Sequence, residues 1–109
     1  MRTLKFIVDG LNIKRDPFCD FSGLVPGTEQ YLKAEFSFSS EWNGVVKAAT
    51  FWSALGKEYD PQVLKDGVSC IIPKEALKKR IFKIRIVGFK DGVKTLTNKV
   101  VVTQNGGKE

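Results

Sequence analysis

Apolar and polar residues alternate with a period of two along most of this chain, and apolar stripes at helical spacing are missing. In residues 31–38 the apolar side chains occupy every second position from Leu32 to Phe38. Successive side chains of a β-strand point to opposite faces, so this pattern predicts strands with one buried and one exposed face. Residues 45–52 differ, because both of their faces are fairly apolar. The chain is therefore predicted to be mainly β-sheet.

Turn signals divide the alternating segments into six or seven short strands. Asn43-Gly44 and Asp91-Gly92 are typical of tight turns, and Pro73 ends one strand and begins a single helical turn. Because each apolar sheet face must be covered, the pattern predicts an all-β fold, a two-layer antiparallel β-sandwich of immunoglobulin-like type. At 109 residues, the chain has the length of one such domain, residues 1–109. The predicted inward-facing residues are Leu32, Ala34, Phe36, Phe38, Phe82, Ile84, Ile86, Val100 and Val102. Trp42 and Trp52 are interpreted as core side chains, with interface anchoring as the alternative.

The C-terminal hairpin places basic side chains together. If Lys90 lies opposite Lys94, then Phe82, Ile84 and Ile86 face Val102, Val100 and Asn98 on one side of the hairpin. Arg85 then lies directly opposite Lys99 on the other side, which is unfavourable unless an anion is present. The predicted basic face, a candidate partner-binding surface, consists of Lys83, Arg85 and Lys99.

The charge distribution supports a basic surface in the second half of the chain. Residues 56–109 hold twelve basic and six acidic side chains, which accounts for the whole net charge of +6. Such a surface attracts an acidic partner or is simply a solvated face, and both interpretations stay open. Nucleic acid is disfavoured as a partner, because arginine is scarce and no aromatic platform alternates with the basic residues.

Several classes of function are excluded by residue types. The chain has no histidine, which removes Ser-His-Asp triads, Cys-His dyads and most zinc sites. Cys19 and Cys70 have no CxxC spacing and are predicted to be free thiols. We therefore predict no catalytic residue, no cofactor and no metal site. Because no apolar run is long enough to span a bilayer and no secretory signal is recognisable, synthesis in the cytoplasm and no membrane partner are expected.

Residues 9–30 interrupt the alternation with several glycines and prolines and are predicted to form a long loop or extended arm. Large apolar residues without a strand period lie within this segment. They either dock on a neighbouring subunit or fold back over the sandwich of the same chain. The candidate partner-binding residues of this arm are Leu11, Ile13, Phe18, Phe21 and Leu24.

The order of several motifs carries a family resemblance. FSFSSEWNG at 36–44 is followed by KAATF at 47–51, CIIPKEAL at 70–77, FKIRIVG at 82–88 and TLT at 95–97. This order resembles the β-sandwich domains of small tailed-phage virion proteins, namely siphophage upper baseplate proteins and head fibre or capsid accessory proteins. The resemblance covers residues 31–103, so the arm is not part of it.

The resemblance implies a non-enzymatic virion protein, located in the virion, that self-associates and docks on the capsid or tail tip. Its implied partners are other virion proteins and further copies of itself. Two alternatives remain at this point. The chain could be a small phage-encoded protein that binds and inhibits a host defence protein. It could also be a nucleic-acid-binding module that uses the basic C-terminal hairpin.

Overall fold

A computed structural model of the chain describes residues 2–27 and 32–104. The predicted strand start at Tyr31 and the end of the predicted arm, residues 28–30, lie outside them. Within the described residues, nine β-strands form two sheets that share one hydrophobic core. None of the described helices is long and apolar enough to cross a lipid bilayer. The strands are β1 (Arg2–Asp9), β2 (Asn12–Arg15), β3 (Leu32–Phe38), β4 (Val46–Ser53), β5 (Gln62–Val63), β6 (Ser69–Ile71), β7 (Ile81–Lys90), β8 (Val93–Leu96) and β9 (Val100–Thr103). The helices are a 3-10 turn (Ser40–Trp42) and α1 (Lys74–Leu77).

The strands are divided between two sheets. Sheet A has the order β2-β1-β3-β6, and sheet B has the order β5-β4-β7-β8, with β9 also pairing with β7. Because β4 occupies one edge of β7, β8 and β9 lie one after the other along its opposite edge. The predicted all-β, two-layer sandwich is confirmed, whereas its immunoglobulin-like character stays a prediction.

Two details of the predicted sandwich are wrong. β1 and β3 run parallel, in register from Arg2↔Leu32 to Val8↔Phe38, so sheet A is mixed rather than purely antiparallel. The chain path explains this. β2 runs antiparallel to β1 along one edge, and β3 then begins at the opposite edge, beside the start of β1, so it runs parallel to β1. The described strands also number nine rather than six or seven. β2 and the two-residue β5 are too short to show alternation, and the predicted last strand is divided into β8 and β9.

The alternating positions form the core, as predicted. On β3 and β7, six of the predicted inward-facing side chains are fully buried, and Val102 of β9 joins them. Phe38 and Val100 are partly buried and pack against the same cluster. β1 adds Phe6, whose ring stacks on Phe36 with 5.4 Å between centroids. Burial of these large apolar side chains is the main force that holds the two sheets together. The six buried residues of β3 and β7 are Leu32, Ala34, Phe36, Phe82, Ile84 and Ile86.

The predicted arm is in large part a piece of this chain's own core. Its residues 12–15 form β2, and both Ile13 and Leu24 are buried in the common hydrophobic cluster. The ring of Phe21 lies edge-on to Phe6, with 5.5 Å between centroids. Sequence reasoning missed β2 because only one of its four side chains faces inward, which leaves no alternation to detect. For these three residues, folding back within the chain is the correct alternative.

Trp42 closes one end of the core, which confirms the prediction for this residue. Its indole is buried, and its Nε1 donates a hydrogen bond of 2.8 Å to the carbonyl oxygen of Gly10. The indole lies against β7 at Gly88, where a Cβ atom would be only 2.6 Å from Cζ3 of Trp42. The same Cβ would be 2.7 Å from Cγ1 of Val45. Glycine at position 88 therefore makes room for the tryptophan.

We expect Gly88→Ala to reduce the free energy of unfolding by about 1–3 kcal/mol, because overpacking displaces the indole or the backbone of β7. Urea denaturation measures the loss. The matched control introduces the same change together with Trp42→Phe, which removes the clash with the indole and leaves only the close contact with Val45. Strictly additive effects of the two substitutions would show that the clash is not the cause.

Asp66 organises the turn that leads into β6. Its Oδ1 accepts hydrogen bonds from the backbone N–H groups of Val68 at 3.0 Å and Ser69 at 2.7 Å, and its Oδ2 accepts one from the Ser69 hydroxyl. The Ser69 hydroxyl, followed by the two backbone N–H groups, lowers the pKa of Asp66 from 3.8 to about 2. The turn is therefore built around a charged carboxylate.

This pKa predicts a loss of stability in acid. The carboxyl has a lower pKa in the folded protein than in the unfolded chain, so its stabilising contribution is complete above pH 3.8 and is lost as the pH falls towards 2. The variant Asp66→Asn cannot titrate and should lose less stability over this range than the wild-type protein. Urea midpoints at pH about 6 and about 2 make the comparison. Parallel losses in both proteins would contradict the assignment.

Candidate docking surface

The outer face of sheet B, which points away from sheet A, carries its side chains in four cross-strand rows. Phe82, Ile84 and Ile86 of β7 point into the core, so the residues between them point outward. Successive rows are about 7 Å apart, since two residues of a strand span this distance. In order along β7, the outward pairs are Lys83↔Trp52, Arg85↔Thr50, Val87↔Ala48 and Phe89↔Val46. One end of this face is therefore basic, and the other end is mainly apolar, with Lys94 beside Phe89 in its last row.

The apolar end, called here the apolar half, consists of Val46, Val63, Val87, Phe89 and Leu96. Val63 of β5 and Leu96 of β8 extend the row of Ala48 and Val87 to both sides. Except for the partly buried Val87, the members are between 41% and 63% exposed. Neighbouring exposed apolar side chains mark interaction sites more often than isolated ones do. This patch was not predicted from the sequence, although the two apolar faces of residues 45–52 were its signal.

The basic end, called here the basic half, consists of Trp52, Lys83, Arg85 and Lys99. The Arg85 guanidinium carbon lies 5.5 Å from the centroid of the Trp52 ring, and Lys99 Nζ lies 4.2 Å from it. Both distances lie within cation–π range, so the indole holds two cations side by side. Trp52 is buried, as predicted, with 8% of its surface exposed, but it lies on the outer face of sheet B and outside the hydrophobic cluster between the sheets. Two of the predicted basic residues, Arg85 and Lys99, are thus brought together at an aromatic ring, and Lys83 is the cross-strand neighbour of the same tryptophan.

A β-bulge creates this arrangement. Val87 pairs with Leu96 and Ile84 pairs with Val100, so two residues of β7 lie opposite the three residues 97–99. The hydroxyl of Thr97 accepts a hydrogen bond of 3.0 Å from the backbone N–H of Ile86. Arg85 Nε donates one of 2.8 Å to the carbonyl oxygen of Thr97. Through these bonds the bulge holds Arg85 against the indole.

The bulge also explains which part of the predicted hairpin register is right. The pairs Phe82↔Val102 and Ile84↔Val100 are confirmed. The predicted opposition of Ile86 and Asn98 is wrong, because Ile86 exchanges hydrogen bonds with Thr97. The predicted opposition of Lys90 and Lys94 is wrong, because Lys90 pairs with Val93 across a two-residue turn. Both turn residues, Asp91 and Gly92, have positive φ, which favours a tight hairpin of this kind. The turn is one residue shorter than predicted, and the bulge adds one residue between β8 and β9. The pairing of β7 with β9 therefore has the predicted register.

Asn98, at the centre of the bulge, connects sheet B to sheet A. Its Oδ1 accepts a hydrogen bond of 2.8 Å from the backbone N–H of Ile13, and its Nδ2 donates one of 3.2 Å to the carbonyl oxygen of the same residue. The backbone N–H of Asn98 donates a third bond, of 3.2 Å, to the carbonyl oxygen of Leu11. One side chain thus pairs with the edge of β2 as a neighbouring strand would. The bulge, and Lys99 beside it, are fixed by this connection.

The positive charges of the basic half are not neutralised by ion pairs with the described residues. Within residues 2–27 and 32–104, no carboxylate forms an ion pair with Lys83, Arg85 or Lys99. Glu58 is the nearest acidic residue by register, since it forms an isolated bridge with Trp52 at the sheet edge. The cations therefore remain available to an acidic group of a partner, and their mutual repulsion is offset in part by the indole.

The five candidate residues of the arm do not form one surface. Ile13 and Leu24 are buried and Phe21 is partly buried within the chain, so these three are removed from the partner-binding set. Leu11 and Phe18 are exposed. Leu11 lies in the turn between β1 and β2, whereas Phe18 lies on the loop that follows β2. A single docking arm is therefore not what the fold presents.

The two cysteines are free and lie in different surroundings. Burial, followed by the nearby charge of Asp66, raises the pKa of the Cys70 thiol to about 12, so this thiol stays protonated at neutral pH. Cys19 Sγ accepts a hydrogen bond of 3.3 Å from the backbone N–H of Lys5 and helps to hold the loop against β1. Among the residues that the structure describes, no group of three potential ligands of the His, Cys, Asp and Glu types could hold a metal ion.

Comparison with known proteins gives no match to a family model, to a curated protein or to a solved structure. Function is therefore inferred from the chemistry of the surface and from the resemblance in the sequence motifs.

We expect Asn98→Ala to cost about 1–3 kcal/mol of unfolding free energy. The substitution removes two hydrogen bonds to Ile13 and leaves the backbone N–H of Ile13 without a partner. Urea denaturation gives the magnitude. Asn12→Ala is the matched control, since Asn12 is exposed on β2 and its side chain makes no hydrogen bond to the described residues. Equal effects of the two substitutions would contradict the bracing role of Asn98.

Proposed function

We propose that this protein is a non-enzymatic docking protein that binds an acidic, partly apolar protein surface through the outer face of sheet B. The proposal rests on one observation, namely that the basic half and the apolar half adjoin on a single sheet face. Protein interfaces combine apolar and aromatic contacts with arginine at their centre, and the two halves together have this composition.

The apolar half favours a protein over a nucleic acid as the partner. Interfaces with nucleic acids are more polar and more positively charged than those between proteins, and phosphate groups make no use of exposed valine or phenylalanine. Phe89 and Val46 pair directly across two strands and offer a contiguous apolar contact. The partner is therefore expected to place apolar residues here and carboxylates on the basic half.

The basic half is ordered before a partner arrives. Arg85 is held by its hydrogen bond to Thr97 and by Trp52, and Lys99 follows the braced Asn98. Ordering side chains on binding costs free energy, and this cost is reduced where the side chains are already held. Positive charge of this kind mainly accelerates association, while burial of the apolar half slows dissociation.

For the biological setting, we propose the role that the motif resemblance implies. In this role the chain is a virion accessory protein that docks on the capsid or the tail tip, with many copies binding at once so that weak single contacts suffice. Inhibition of a host protein would use the same docking face on a different partner. Co-purification with particles separates these two settings.

The docking face is tested on three immobilised probes: poly-glutamate, a glutamate–tyrosine copolymer and duplex DNA. We expect the wild-type protein to bind the copolymer more tightly than poly-glutamate, because only the copolymer offers apolar groups. The pair Val46→Ser and Phe89→Ser should abolish this preference. The pair Lys83→Glu and Lys99→Glu should slow association with both acidic polymers roughly tenfold, with little change in thermal stability.

The matched control is the pair Lys5→Glu and Lys33→Glu, which changes the net charge equally on the outer face of sheet A. If this control pair slows association as much as the basic-half pair, net charge and not the face determines binding. Tighter binding to DNA than to the copolymer would overturn the choice of a protein partner.

The virion role has its own readout, which is mass spectrometry of density-purified phage particles whose genome encodes the chain. We expect the wild-type chain in these particles and its depletion when the basic half is reversed. Absence of the wild-type chain, with binding to the copolymer retained, would overturn the virion role and leave the docking face standing.

A further inference from the structure

The outer face of sheet B continues beyond the basic half into a depression of about 320 Å³. Ile81 contributes to it and points outward like Lys83, because the two residues are two positions apart on β7. Leu55, in the turn after β4, forms one wall and is 99% exposed. The depression is therefore mainly apolar, and it adjoins the row of Trp52 and Lys83. The lining residues are Ala54, Leu55, Lys79, Arg80 and Ile81.

Hydrogen bonds hold the backbone on both sides of this depression. In the turn after β4, the backbone N–H of Gly56 donates one of 3.1 Å to the carbonyl oxygen of Ser53. In the segment before β7, the fully buried Gln104 donates from its Nε2 to the carbonyl oxygen of Lys79 at 2.7 Å. The backbone N–H of Gln104 donates a further bond, of 2.6 Å, to the carbonyl oxygen of Arg80. The depression is thus formed before a ligand arrives, which reduces the cost of binding.

The size and the lining of the depression suit one large apolar side chain. Its volume lies at the lower end of the ~300–1,000 Å³ of ligand-binding pockets. Pockets for polar small molecules carry hydroxyl, amide or carboxylate groups that orient the ligand, and the described residues that line this depression include none of these side-chain types. A phenyl ring needs no such group, and buried aromatic side chains are frequent anchors of protein interfaces.

The cations beside the depression decide which kind of partner brings this side chain. By the spacing of a strand, Lys83 and Arg85 lie about 7 Å and about 13 Å from Ile81 along β7. No carboxylate of residues 2–27 and 32–104 forms an ion pair with these two cations. Glu58, the nearest acidic residue by register, is two strands away from Lys83. Arg80 is engaged within the chain, so the charge that attracts a partner is that of the basic half.

We infer that the depression receives one aromatic side chain of the acidic partner, from a segment whose carboxylates bind the basic half. The inference rests on the proposed function, because the basic half is what selects an acidic partner. In an extended segment every second side chain points to the sheet, and these side chains are about 7 Å apart, like the rows of sheet B. Carboxylates opposite Arg85 and Lys83 therefore place the aromatic ring two positions beyond the second carboxylate. The partner segment then reads acidic-x-acidic-x-aromatic, or the reverse.

Capped peptides with this order test the inference by isothermal titration calorimetry. Both chain directions are made, Glu-Ser-Glu-Ser-Phe and Phe-Ser-Glu-Ser-Glu, because a sheet face, unlike a sheet edge, can accept either. We expect one of them to bind the wild-type protein roughly tenfold more tightly than the peptide with serine in place of phenylalanine, as for an anchor residue. Exchange of the phenylalanine with its neighbouring serine should remove this gain, since the ring then points away from the sheet.

The variant Leu55→Ser tests the depression itself. The substitution removes the exposed wall without a change of charge, so the phenylalanine peptide should bind this variant no more tightly than the serine peptide does. Leu11→Ser is the matched control, because Leu11 is also an exposed leucine in a turn and lies outside sheet B. This control should keep the full preference for phenylalanine. Urea midpoints close to that of the wild type show that both variants are folded.

Three results would overturn the inference: equal binding of phenylalanine and serine peptides in both directions, an unchanged preference in Leu55→Ser, or an unchanged affinity after the exchange of phenylalanine and serine. Failure of the docking face has a different mark. If the pair Lys83→Glu and Lys99→Glu binds the serine peptide as tightly as the wild type does, the basic half does not bind carboxylates. A serine peptide that needs the basic half but gains nothing from phenylalanine overturns only the aromatic anchor.

Discussion

The pairing of the Asn98 side chain with the backbone of Ile13 is the constraint on which the proposed docking face depends. These residues are 85 positions apart in sequence, and their two hydrogen bonds connect sheet B to the edge of sheet A. The bulge that contains Asn98 sets Lys99 and Arg85 over the same indole. Without the extra residue, the strand would continue in one register and Lys99 would occupy a different row. One amide side chain thus links the closure of the sandwich to the position of its surface charges.

Trp52 shows how a sheet face can be ordered without being part of the core. The indole lies on the outer face, and the side chains that cover it are cations that a partner can still reach. The guanidinium of Arg85 and the ammonium of Lys99 lie over its ring and shield it in part from solvent. The tryptophan therefore contributes to stability and keeps the basic residues in place at the same time.

The core residues of this fold could be predicted from the sequence, whereas the candidate docking face could be predicted only in part. Alternation located Phe36, Ile84 and Val102 correctly, because the period of a strand depends only on which face is covered. It could not reveal the parallel pairing of β1 with β3, which is a matter of chain path, nor β2, which has a single inward side chain. The basic residues were predicted from like charges in opposite strands, but the bulge that joins them leaves no period in the sequence.

The edges of the two sheets bear on how this chain can assemble. Of the described strands, those at the edges are short: β5 has two residues and β6 has three, while the edge formed by β8 and β9 is interrupted by the bulge. The edge of β2 is already occupied by Asn98. Long unpaired edges act as templates on which further strands, including misfolded ones, can add. A chain with edges like these can be concentrated with little risk of amyloid-like growth, since contacts through faces and loops do not extend a sheet.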